Sequence, residues 1–381
     1  SLSFRFSSAF FRTLSGKISE TIRKISKSKW KRILPLIDKF QTSETRYIRK
    51  NCAVVLTDII KNHPKKVSVK QVIDAWKKET EIKIRKEYTN SIISFVRQNP
   101  DIVKQEVPTI LDVFENVDDY EKVNVSLIFE EILSQKPEIL DYSIIEKLAF
   151  NDNDKIRERT IKFLSKYYQL EQKKTLKVLY KSLDDPDWPV QNAAIETIND
   201  IENESLPSKI PKKIKSMLNH EKKWIRGSSL DFFSQNTNHL KKYFTHSEII
   251  RYIQEQEQDP ENVKRAIKLL LYFATDNFSA IFDFLIDLMQ HKNPKIQEGA
   301  VSSMISLSNI IKSEQLIPKL LQYLTDEAAL ILQENIAKTL QRIAKYVNKD
   351  LKKRVISLLR LRANVSQNFV LNEVLTDLEE K

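Results

Sequence analysis

The sequence predicts an all-α fold, a right-handed α-solenoid of about ten helical hairpins, and three observations predict it. A short pattern recurs every 33 to 39 residues along the 381-residue chain. Each copy joins two amphipathic runs through a turn, and several of the turns hold Asp, Asn and Pro. Glycine occurs only three times, at Gly16, Gly227 and Gly299, which excludes the phosphate-cradling loops and nucleophile elbows that need glycine where the backbone turns sharply.

The clearest copy spans residues 184–201. Asp184, Asp185, Pro186 and Asp187 read as a turn and a helix start, with carboxylates placed to accept the unpaired amide hydrogens of the first helical turn. Behind them Val190, Ala194, Ile195, Ile198 and Ile201 recur at steps of three and four and form one apolar helix face. Leu176, Leu179, Tyr180 and Leu183 supply the face of the preceding helix. Taking Val190 as an anchor, the pattern returns at Ile48, Ile84, Val123, Ile156, Ile225, Val263, Ile296, Leu332 and Val365. A period this regular marks a repeat array, in which each unit buries its apolar face on its neighbours. The hairpins are expected at about 30–62, 68–98, 102–135, 141–168, 172–201, 207–235, 245–275, 279–311, 314–346 and 349–378. Together they read as one elongated domain over 30–378, on the order of 100 Å long if layers stack at roughly 10 Å.

At the second helices the chain resembles the HEAT-repeat family, with an acidic turn, then an aliphatic residue, then arginine. Arg49, Arg85, Arg157 and Arg226 match the family's arginine position, Lys264 substitutes for it, and Gln191, Gln297 and Gln333 depart from it. The preceding acidic position is clear near Asp152, Asp185 and Asp259. In such solenoids the second helices line the inner side, so the resemblance implies an inner-surface row of Arg49, Arg85, Arg157, Arg226 and Lys264. The alternative is that each arginine bridges to the link of the next repeat.

Charge is distributed unevenly. Residues 1–90 hold 22 Lys and Arg against 8 Asp and Glu, so the whole net charge of +12 comes from this part of the chain. Within residues 1–29, Phe11, Leu14, Ile18, Ile22 and Ile25 fall at helical steps beside Arg12, Lys17, Arg23, Lys24 and Lys27. That basic amphipathic stretch fits a cap over the first repeat, a helix on an anionic membrane surface, or an organellar presequence. Three basic patches follow the same logic: Lys24, Lys27, Arg32 and Lys50; Lys212 and Lys213; Lys352, Lys353 and Arg354. Each suits phosphate contacts or a solvated helix face.

Sites for chemistry are sparse. The five histidines lie mostly at helix ends, His246 with Glu248 being the nearest approach to a metal pair, and no cofactor or metal is expected. Cys52 alone forms no disulfide within the chain and reads as core filler, which fits a reducing, cytoplasmic setting. Trp188, Trp224, Asp187 and Arg226 faintly resemble the groove of HEAT-like DNA glycosylases, without that family's consecutive tryptophans and aspartate. No apolar run approaches the ~18 residues of a membrane span. The expectation is a non-catalytic scaffold or adaptor that binds protein partners along its repeats. Nucleic acid held by the basic N-terminal third is the alternative, followed by an anionic membrane surface contacted through residues 1–29.

Overall fold

A computed structural model describes residues 20, 24, 28–201, 206–325 and 327–380, all of them in helices, turns and links without a strand. Of the basic amphipathic stretch expected over residues 11–25 only Glu20 and Lys24 are described; its apolar face and Lys27 lie outside the described residues. Glu20 and Lys24 form an exposed ion pair at 2.9 Å. The chain divides into two compact units, Ser1–Ile201 and Glu202–Lys381.

The first unit stacks five hairpins. Their first helices are residues 28–40, Val69–Lys78, Val107–Asn116, Tyr142–Ala149 and Gln172–Ser182. Their second helices are Arg46–Asn62, Ile82–Gln98, Asp119–Gln135, Asp154–Lys162 and Trp188–Asp200. Within the unit the second helices pack successively on one another, and from the second hairpin onward each packs on its own first helix. Helix Ile82–Gln98 shows why: Ile84, Tyr88, Ile92, Phe95 and Val96 follow helical steps and are all buried. Each such side chain stabilises by roughly 1.5–3 kcal/mol when fully removed from water. X-Pro pairs end the first three second helices, because the residue before proline resists the α conformation. His63-Pro64, Asn99-Pro100 and Lys136-Pro137 each open a short 3₁₀ stretch that leads into the next hairpin.

The second unit repeats the plan. First helices Lys209–Ser216, His246–Glu255, Phe278–Leu288, Ser313–Gln322 and Lys349–Ser366 alternate with second helices Lys223–Gln235, Pro260–Leu270, Pro294–Leu307, Leu330–Ile343 and Phe369–Glu380. An additional helix, Thr237–Tyr243, follows the first hairpin of this unit and accounts for the wide interval between Ile225 and Val263. It is held by aromatic contacts, with His239 stacked on Phe232 at 6.1 Å.

Close approach of successive second helices explains one glycine. A Cβ on Gly227 would stand 2.8 Å from Oδ1 of the buried Asn262, whose amide group donates to the Lys223 carbonyl and to Glu257. Gly227→Ala is therefore expected to cost about 1–3 kcal/mol in urea unfolding, the usual penalty of overpacking.

Three sequence expectations need correction. Val365 is not an anchor: it lies near the end of the 18-residue first helix Lys349–Ser366 and is 63% exposed. The corresponding residue is Leu371, third in its helix and fully buried. The third residue of helix Asp119–Gln135 is Glu121, so Val123 sits past the anchor position and is half-buried. Asp187 does not cap its own helix; its carboxylate accepts from Arg157 instead.

Candidate functional site

The links between first and second helices share one device. At seven of them a side chain accepts the amide hydrogen two residues on, a local turn that sets the start of the second helix. In the first unit the acceptors are Ser43, Glu79, Asn151 and Asp185; in the second they are His220, Glu257 and His291. His220 and His291 accept through Nδ1, at 3.0 Å in each case.

Six residues after each of these acceptors except Glu257, where the interval is seven, comes the position of the arginine row. From it Arg49, Arg157 and Arg226 donate through Nη1 to the carbonyls of Ser43, Asn151 and His220, at 2.8 to 2.9 Å. Gln191 and Gln297 make the same bond to Asp185 and His291, both at 2.6 Å. Gln333 likewise ties down the carbonyls of Thr325 and Ala328. The glutamines thus keep the half of the arginine's role that secures its own link.

The arginines go further, since their planar guanidinium has a second edge. Arg49 donates from Nε and Nη2 to both oxygens of Glu79, at 2.9 and 3.1 Å. Arg157 does so to Asp185 at 2.8 and 2.9 Å, and Arg226 to Glu257 at 2.7 and 2.8 Å. Each guanidinium therefore joins its own link to the acceptor of the following link. The acceptor's identity follows the residue before it: Lys122 and Lys264 replace arginine ahead of the neutral acceptors Asn151 and His291. Lys122 pairs with Asp119, the first residue of its own helix, at 3.5 Å, and Lys264 with Glu298 inside the next second helix at 3.0 Å.

Glu257 is the most enclosed of these carboxylates. Its side chain has no exposed surface, and besides Arg226 it accepts from the Tyr252 hydroxyl at 2.7 Å, the Asn262 amide and the Asp259 backbone. Burial, the largest single influence, pushes its carboxyl up, but these donors together outweigh it and hold the group below the usual carboxylate range. Glu79 is held low in the same way, by Arg49 and the amides of Glu81 and Thr80 against burial. A depressed carboxylate contributes stability that is present above its unfolded value of about 4.3 and is lost as pH falls through its folded value. Glu121 runs the other way, burial raising it more than Arg85 lowers it. On lowering the pH from about 7 to 3 the urea midpoint is expected to fall; Glu257→Gln flattens that dependence and Glu121→Gln steepens it.

Arg85 makes the weakest rung. It reaches Glu121 through one nitrogen at 3.2 Å, lies 6.0 Å from the Trp76 ring centre, and leaves its Nε buried without a partner. Replacing a poorly satisfied buried pair by apolar residues is often harmless. Arg85→Met combined with Glu121→Leu is expected to be neutral or stabilising by up to about 2 kcal/mol in urea unfolding.

The basic patches stay at the surface. Arg32, Lys50, Lys212, Lys353 and Arg354 are exposed, while Lys213 and Lys352 are half-buried. Of their sequence neighbours, Lys215 donates to the Tyr243 carbonyl and pairs with Glu248, and Lys223 pairs with Asp259. Glu248 is also committed to a capping box with Thr245, and among the described residues no group of three metal-ligating side chains occurs. Cys52 is half-buried, and burial pushes its thiol up to about 11, which leaves little thiolate at neutral pH. Asp187 and Arg226 are held in the pairs above.

Exposed apolar side chains recur in the opening turn of the second helix, at its first or second residue, and of these the sequence pattern singled out only the two tryptophans. Tyr47, Ile82, Tyr120 and Trp188 occupy it in the first unit, and Trp224, Leu330 and Phe369 in the second. On the flank of the first three second helices lies a cleft of about 350 Å³, lined among others by Val54, Asn90, Ser94, Leu127 and Glu130. No described helix is long and apolar enough to cross a membrane.

No family model and no curated protein matches the sequence. Among solved structures the chain is similar to Kap121p, at 14% identity and a TM-score of 0.62 over 92% of this chain and 41% of that one. It is similar to Kap95p, in a structure of its binding to RanGDP, at 11% identity and a TM-score of 0.63 over 96% of this chain and 53% of that one. Kap121p bound to RanGTP gives 13% identity and a TM-score of 0.60, over 94% and 43%. This chain spans about half or less of the length of these proteins, and identities this low show the shared fold, a helical-repeat solenoid.

Proposed function

We propose that this chain is a HEAT-type solenoid that binds protein partners along its repeats and performs no reaction of its own. The observation that carries the reading is the recurrence of exposed apolar side chains in the opening turn of the second helices, beside links where Arg49, Arg157 and Arg226 are engaged within the chain. Scattered exposed apolar residues are ordinary on any surface, but their recurrence in the opening turn of the second helices suggests that, within each unit, a partner covers that end of the hairpins. Solenoids offer extended surfaces of this kind because each hairpin presents the same position anew. The solved neighbours support a binding role only by their fold, since Kap121p and Kap95p were each studied with Ran.

Two measurements test this reading. Affinity capture with the whole chain, after nuclease treatment, is expected to retain specific proteins that Trp188→Ser or Trp224→Ser depletes. A salt titration against mixed-sequence duplex and single-stranded nucleic acid addresses the alternative. Tight binding that weakens steeply with salt, alongside no retained protein, would overturn the scaffold reading in favour of a nucleic-acid binder.

A further inference from the structure

The row residue is fourth in its second helix at Arg49, Arg85, Arg157, Gln191, Arg226, Gln297 and Gln333. In helix Pro260–Leu270 the fourth residue is Val263, and Lys264, one place later, reaches Glu298 instead. Valine cannot bind its link. The carbonyls of Glu257 and Gln258, six and five residues before Val263, stand where those of Ser43 and Glu44 receive Arg49, yet no donor among the described residues reaches either. Between this link and the next lies a cavity of about 570 Å³. Its apolar walls are Ile253, Val263, Leu288 and Ile296, all buried. His291 lines it from the following link. Its Nδ1 accepts the Asn293 amide hydrogen, so in the neutral ring Nε2 carries the proton, and that proton has no acceptor among the described residues. The surroundings have no marked excess of either charge. Glu257 is neutralised by Arg226, Asp259 pairs with Lys223, Glu261 with Lys295 and Glu298 with Lys264, and beyond these lie exposed Lys292, Glu255 and Asp287.

We propose that this cavity receives the side-chain carboxamide of a glutamine on a partner protein, supplied from outside where other hairpins supply it from within. The inference rests on the protein-binding reading above and names the residue type held between these two links. The chain contains the precedent: Gln191 and Gln297 donate to the carbonyls of Asp185 and His291, each six residues back, at 2.6 Å. A carboxamide offers two N–H donors for the Glu257 and Gln258 carbonyls and one acceptor for the His291 Nε2 proton. A guanidinium would serve the carbonyls, but its second edge needs an acceptor such as Glu79, and His291 has a proton to give instead of a lone pair. A carboxylate has no proton for the carbonyls, and an aliphatic side chain would close them off from water unpaired. The volume takes a whole residue with its flanking peptide groups, and the apolar walls take its methylenes.

Methyl NMR of the whole chain, with the isoleucine methyls labelled, tests the proposal. The probe is N-acetylglutamine methylamide, with its glutamate, arginine and methionine counterparts as controls. The glutamine probe is expected to shift the Ile253 and Ile296 methyls saturably, with a Kd on the order of 1–10 mM, and the controls to bind at least about tenfold more weakly. Val263→Gln puts glutamine at the fourth position, as in three other hairpins, and is expected to fill the cavity from within and abolish the shifts. His291→Asn keeps the turn that Asn151 makes in the first unit but removes the Nε2 proton, and is expected to weaken the probe at least about threefold. Each replacement has a counterpart at its position elsewhere in the chain, so both variants are expected to keep the unchanged chain's helical content and melting profile. No saturable shift at Ile253 and Ile296, equal binding by a control probe, or undiminished binding to folded His291→Asn would overturn the pocket's chemistry. In affinity capture, partners are expected to be depleted by Val263→Gln. Partners retained in full by that folded variant would overturn a partner's glutamine as the occupant although the scaffold reading stands; if the unchanged chain retains no protein, the scaffold reading fails and the partner claim falls with it.

Discussion

Arg226→Ala is expected to lower the unfolding free energy by about 3–5 kcal/mol, read as a shift of the urea midpoint. The size follows from what remains. Glu257 has no exposed side-chain surface, so its carboxylate would stay buried with Tyr252, Asn262 and one backbone amide but without a countercharge. The carbonyls of His220 and Glu221 would lose their donor in the same step. Arg226→Lys keeps the charge but cannot form the two parallel bonds to Glu257, and an intermediate loss is expected. A change below about 1 kcal/mol for the alanine variant would be typical of an exposed pair and would contradict the burial described.

Arg157→Ala is expected to cost a similar amount, about 3–5 kcal/mol, by the same measurement in the first unit. Both Arg157 and Asp185 are buried, and the arginine also binds Asp187 at 2.6 Å and the carbonyls of Asn151 and Asp152. Its removal leaves two carboxylates near each other with one link untethered. Asp187 has a half-exposed side chain, so Asp187→Asn is expected to cost under about 1 kcal/mol, and the contrast separates the enclosed bond from the open one.

The register of the hairpins was legible because apolar burial repeats with the helix period. Ile84, Ile156, Val190 and Ile225 are each third in a second helix and fully buried, so one template found them all. The template slipped at Val365 because helix Lys349–Ser366 ends at Gln367 without a glycine or proline to mark the stop. Gln367 takes the left-handed conformation usually left to glycine or asparagine, a choice that composition does not signal. The additional helix Thr237–Tyr243 was hidden for a related reason: among its residues only Leu240 is buried, which leaves no periodic face to read.

The arginine positions stood out beside the anchors, and a bridge to the next link was one reading of them, but two of the three partners did not stand out. All three partners, Glu79, Asp185 and Glu257, lie in the following hairpin; Asp185 stood out as the acid of its own turn, whereas in sequence Glu79 and Glu257 look like any other acid at a helix boundary. A local clue was present in the residue six places before each arginine or glutamine, which is repeatedly able to accept a hydrogen bond: Ser43, Asn151, Asp185, His220 and His291. Exposure of Tyr47, Ile82 and Tyr120 was not legible either, because aromatic and aliphatic residues near an anchor are indistinguishable from core until the helix faces are placed.

Arg49, Arg157 and Arg226 hold consecutive hairpins together through enclosed ion pairs, and under the proposed function partners bind elsewhere, at the exposed side chains that open the second helices. A double-mutant cycle at Arg226 and Glu257, using Arg226→Met and Glu257→Gln with urea unfolding as the readout, tests it most directly. The expected result is a coupling energy of about 1.5–3 kcal/mol between the two sites, with the captured partners still bound by the single variants under native conditions. A coupling within about 0.5 kcal/mol of zero, together with partners lost from the folded Arg226→Met protein, would contradict it and place the arginines at the binding surface.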